Sequence, residues 1–184
     1  ESNFALRTLV GPDNFYSGMS DRDHALVSRI IDILGKGPVR AATLYDVRNA
    51  DAVLVLGEEV TDTAPLLALS LRQSVRQREF ETAAKLKVPQ WQDAGVRNAG
   101  QGAKSPLFIA TVTSTKLDDI STRAYQAAPD DIARLGFAIA HELDPGAPGV
   151  TDLDASAAAL AREISQSLKD AKRPLIVSGT SLLS

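Results

Sequence analysis

The sequence predicts an α/β fold, an open and mostly parallel sheet with helices on both faces. Two observations carry this. Three short apolar runs, near 52–57, 107–112 and 174–178, are unbroken by polar residues and closed by glycine or hydroxyl residues. Such runs read as strands buried on both faces, which is how parallel strands sit. Between them lie longer stretches with apolar positions at helical spacing, so strands alternate with helices throughout. That order predicts parallel strands joined by right-handed crossovers. The three strands should be adjacent or separated by one strand.

The elements follow in order. Phe4-Ala5-Leu6-Arg7-Thr8-Leu9-Val10 reads as a first element. Ser20-Asp21-Arg22-Asp23 has the spacing of a capping box, and Leu26, Val27, Ile30, Ile31 and Leu34 recur behind it at helical intervals. Gly35 and Gly37-Pro38 end that helix. Ala52-Val53-Leu54-Val55-Leu56 is the first strand, closed by Gly57. Thr63 is then the expected N-cap of a helix with Pro65 in its first turn and Ala64, Leu67, Ala68, Leu71 and Val75 on its apolar face. Further helical stretches are expected over about 79–87, stopping before Pro89, and over 91–100.

Leu107-Phe108-Ile109-Ala110-Thr111-Val112 is the second strand, and Thr115-x-x-Asp118 repeats the capping-box spacing. Pro129-Asp130-Asp131 opens a helix with acids in its first turn, as the helix dipole favours, and Ile132, Leu135, Gly136, Ile139 and Leu143 form its apolar face. After the 144–149 loop, Asp152 or Asp154 caps a long helix with Ala157, Leu160, Ala161, Ile164 and Leu168 on one face. Pro174-Leu175-Ile176-Val177-Ser178-Gly179 is the third strand signal.

Composition removes several function classes. Lys plus Arg is 20 against Asp plus Glu at 23, a formal net charge of -3, so no basic stripe suits nucleic acid. The chain has no cysteine, which excludes disulfides, thiolate zinc sites and iron–sulfur clusters held by these residues. The longest apolar runs fall far short of the about 20 residues a membrane helix needs. No signal peptide is recognisable, and both ends fall beside structural elements. Residues 1–184 are therefore expected to form one α/β domain, or part of one, excised from a larger subunit.

Open α/β sheets bind ligands at the carboxyl ends of their strands. The turn Gly57, Glu58, Glu59, Val60, Thr61, Asp62, Thr63 occupies that position, and Ser178 and Gly179 could line the same crevice. A phosphate site there would need close backbone approach and a positive field. Three acids instead follow one glycine, so a self-capped helix start is the expected role, with no catalytic residue. The carboxylate pairs Asp118-Asp119 and Asp130-Asp131 read as first-turn acids, because adjacent residues on a helix do not face each other. His24 and His141 lack a second ligand at metal spacing, so no metal site is expected. Trp91 stands in a polar neighbourhood and has two open readings, a partner anchor or a side chain buried under its own loop.

Several separated stretches carry a resemblance: residues 45–57, 107–112, 117–120, 129–131 and 171–179 resemble, in order, the molybdopterin oxidoreductase family. Residues 4–11, 51–61 and 134–141 narrow it to the branch made by the large iron–sulfur subunits of bacterial NADH–quinone oxidoreductase, respiratory complex I. In the molybdenum enzymes, the first strand is followed by Gly-x-Asn-x-x-Glu-Thr-His-Pro. Here residues 58–65 have neither the Asn nor the His, and the later Asp-Pro-Arg and Pro-Gly-Thr-Asp segments are also altered. The resemblance thus implies a Rossmann-like fold that has lost its pterin.

It also implies a structural part of a subunit that supports electron transfer from NADH to quinone. The Fe–S clusters would be bound upstream of these residues. The partners would be other peripheral-arm subunits of complex I, with no nucleic acid and no direct membrane insertion. The location would be the cytoplasmic side of the bacterial inner membrane. The alternative is a small-molecule or nucleotide-binding domain using the crevice beside Gly57 and Gly179. The central domain of thiamine-diphosphate enzymes is one form of it, resembled by residues 172–179.

Overall fold

The computed structural model describes residues 1–180, and in it the three apolar runs are strands of one sheet. The strands are β1 (Ala52–Leu56), β2 (Leu107–Thr111), β3 (Arg123–Gln126) and β4 (Pro174–Ser178), in the spatial order β3-β2-β1-β4. All three pairings are parallel. The expected strands are therefore adjacent, with β1 between β2 and β4.

The central strands are buried because each face has its own cover. On one face, Val53, Val55, Leu107 and Ile109 pack with Val47 of α3 (Leu44–Arg48), Val60 of α4 (Val60–Thr63) and Ala68 and Leu71 of α5 (Pro65–Ser74). On the other, Ala52, Leu54, Phe108 and Ala110 pack with Ile132, Leu135 and Ile139 of α8 (Pro129–Leu143) and Ala161, Ile164 and Leu168 of α9 (Ala155–Asp170). Between α5 and β2 lie α6 (Gln77–Lys85) and α7 (Asp93–Gly100).

Three expectations need correction, and one strand was not expected. Thr63 does not cap a helix. Glu59 caps α4, Ala64 precedes α5, and the Thr63 hydroxyl donates to the Glu59 carbonyl at 2.6 Å. β4 is not buried on both faces, because it is an edge strand and Ile176 is 53% exposed. No helix joins β2 to β3. Thr115 and Asp118 do exchange capping contacts, with the Thr115 backbone N–H and hydroxyl both donating to the Asp118 carboxylate, but they close a turn. β3 itself has no apolar run to announce it. It is a short edge strand of mostly exposed residues, tied on through Thr122, whose backbone N–H donates to the Leu107 carbonyl at 2.7 Å.

Asp51 sets where β4 begins. Its carboxylate accepts the backbone N–H groups of Lys172 and Arg173 at 3.0 and 2.8 Å, while the Arg173 side chain donates to the Asn49 carbonyl at 2.6 Å. Ala52 and Pro174 are then paired in register.

Asp154, one of the two candidates, is the cap of α9. Its carboxylate accepts the N–H groups of Ser156 and Ala157 at 2.7 and 2.8 Å, and these bonds hold its pKa below the usual carboxylate value. A depressed folded pKa contributes stability above the unfolded pKa of about 3.9, and that stability is lost as pH falls through the folded value. Thermal melts from pH 7 to pH 3 are expected to show a smaller acid loss for Asp154→Asn, whose amide caps without titrating. Equal acid losses in the two proteins would remove this role.

The chain divides into two compact units, the first spanning Glu1–Ala41. That unit contains α1 (Ser2–Val10) and α2 (Asp21–Lys36). Ser20 caps α2 as its spacing predicts, accepting the Asp23 N–H at 3.1 Å and donating to the Asp23 carboxylate at 2.7 Å. None of its residues is buried, and Phe4, Leu9 and Ile31 are exposed.

Candidate functional site

In a sheet ordered β3-β2-β1-β4, the connections leave β1 toward opposite edges, so the strand order switches between β1 and β4. That switch point is where open α/β sheets take ligands. Leu56 and Ser178 are paired there, so the structure brings together the two segments that lie far apart in sequence, Gly57 to Thr63 and Ser178-Gly179. Gly57 is required by its backbone, with φ at +78°, and its N–H donates to the Ala110 carbonyl at 2.8 Å.

The mouth of this crevice is filled by the protein's own groups. A Cβ placed on Gly179 would lie 2.5 Å from the Glu58 Oε1 and 3.0 Å from its Cδ. The Glu58 carboxylate thus rests against the Gly179 backbone, and a side chain at 179 would push it aside. The Glu59 carboxylate accepts the Thr61 backbone N–H at 2.7 Å and the Thr61 hydroxyl as well. Asp62 is exposed and pairs with Lys116 at 3.4 Å. Ser178 is exposed, and no base among the described residues bonds to it. Nearby, Gly136 of α8 allows Leu56 to pack, since a Cβ there would lie 2.9 Å from its Cδ2.

The chemistry of this set is that of a closed helix start. Glu59 satisfies an N–H that an anion would otherwise receive, and the Glu58 and Asp62 carboxylates add negative field. An anionic pterin does not fit these residues.

The other candidates lie apart from the crevice. Asp118 is held by Thr115, and Asp119 pairs with Arg72 at 3.1 Å. The first pair therefore sits in a turn, whereas Asp130 and Asp131 do open α8. His24 and His141 are exposed, the latter with Nδ1 2.8 Å from the Ala147 carbonyl. Among the described residues no cluster of ligating side chains could hold a metal. Trp91 is 83% exposed, which overturns the reading that buries it under its loop.

A surface cavity of about 330 Å3, which the sequence does not announce, is lined by Val75, Ile120, Arg72, Arg76, Glu79 and Arg97. Its arginines are engaged. Arg76 donates to Glu79 at 3.0 Å and to Asp93 at 2.8 Å, and Arg97 reaches Asp93 at 2.6 Å. These bonds, that of Arg76 above all, hold the Asp93 carboxyl below its ordinary pKa and raise that of Arg76. The network clamps α6 to α7.

No family model matches the chain. Curated relatives do. The chain is 49% identical over 182 residues to the G subunit of NADH-quinone oxidoreductase from Pseudomonas fluorescens, covering 99% of this chain and 20% of the relative. It is 48% identical over 181 residues to that of Yersinia pestis and 46% identical over 180 residues to that of Escherichia coli K12, in each case covering 98% of this chain and 20% of the relative. The chain thus spans about one fifth of the length of the curated relatives it matches.

Proposed function

We propose that this chain, homologous over 98–99% of its residues to one segment of the G subunit of NADH-quinone oxidoreductase, is a structural part of a protein that passes electrons from NADH toward quinone. The Rossmann-like sheet acts as a body that supports neighbouring regions. Iron–sulfur clusters are held elsewhere in the subunit, since this chain contributes no thiolate. Its partners are other peripheral-arm subunits of complex I, on the cytoplasmic side of the bacterial inner membrane. No described helix is long and apolar enough to cross a membrane.

The supporting observation is the filled switch point. The Glu58 carboxylate rests on Gly179, and Glu59 satisfies the start of α4, so the place an open sheet gives to a ligand is used internally. A carboxylate about 5 Å from a phosphate opposes it by roughly 3 kcal/mol at an effective dielectric near 20. Half-exposure lowers that figure, yet the remainder still outweighs the about 0.3–1 kcal/mol a helix terminus offers an anion.

Titration calorimetry at low salt with GDP, NADH and ATP is expected to give no binding. Micromolar affinity for any of them would overturn the scaffold reading in favour of a nucleotide-binding domain. In the full-length protein, Glu58→Gln is expected to leave NADH–quinone electron transfer unchanged, whereas deleting residues 42–180 is expected to prevent assembly.

A further inference from the structure

We draw no further inference here: the strongest candidate, the open sheet edge at β4, where Ile176 stands 53% exposed beside the buried α8–α9 face, carries nothing because nothing in the structure shows what covers it.

Discussion

Phe108→Ala is expected to cost the sheet about 3–5 kcal/mol, the largest loss of any single truncation here. Phe108 lies on β2, between β1 and β3, and is 1% exposed. It is packed among Leu54, Ala110, Ile132, Leu135 and Ile139, on the face closed by α8 and α9. The strands are hydrogen-bonded on both sides of it, so the backbone cannot collapse into the space the ring leaves. The cost is the lost transfer energy together with the residual cavity. For a unit of this size the melting temperature should fall by roughly 10 °C.

Ile176 provides the comparison. It sits opposite Leu54 on β4 and on the same face, yet it is 53% exposed at the sheet edge. Ile176→Ala should cost less than about 1 kcal/mol, because most of the removed surface is already in water. Urea melts of the two variants would measure the difference. Equal losses would mean that the α8–α9 face is hydrated or rearranges freely, contrary to a close-packed core.

These two residues also show what the sequence makes legible. A strand paired on both sides and covered on both faces must be apolar at successive positions, so β1 and β2 announce themselves. β4 carries the same kind of run although it lies at an edge, so its apolar pattern overstates its burial. β3 is satisfied by Arg123, Ala124, Tyr125 and Gln126, because an edge strand needs backbone pairing and little else. Caps are readable at Ser20 and Asp154, where one side chain reaches the next turn of its own helix. Thr63 fails as a cap because the short α4 begins earlier, at the Glu59 carboxylate.

The crevice is legible as two separate segments. Gly57 and its acids reveal a strand end by themselves, and so does Ser178-Gly179. The contact of Glu58 with Gly179 is not legible, because it exists only once β1 and β4 pair in register. Trp91 can be singled out as the one tryptophan in a polar stretch. Its exposure depends on how α6 ends, with a lysine accepting the left-handed position, and no pattern of apolar spacing encodes that.

Gly100→Val is expected to be the next most damaging change, at about 1–3 kcal/mol, and its cause is overpacking instead of a cavity. Gly100 is the buried last residue of α7. A Cβ there would lie 2.8 Å from the Glu79 Cβ and 3.0 Å from the Glu79 Cα, so the obstacle includes backbone that cannot rotate away. Glu79 is held further by Arg76, which also grips Asp93 at the start of α7. Relief therefore requires α7 to move off α6 as a body. The Val88–Gly95 contact would be disturbed with it, and so would the connection that presents Leu86 and Trp91. Hydrogen exchange should rise in α6 and α7 more than in β1 and β2. Gly35→Ala is the matched control, since that helical glycine has open space where its Cβ would go. It is expected to be neutral or stabilising by about 0.5–1 kcal/mol. If Gly100→Val melts with the wild type and exchanges like it, α7 has room that the Glu79 contact denies, and α6 and α7 are not clamped together.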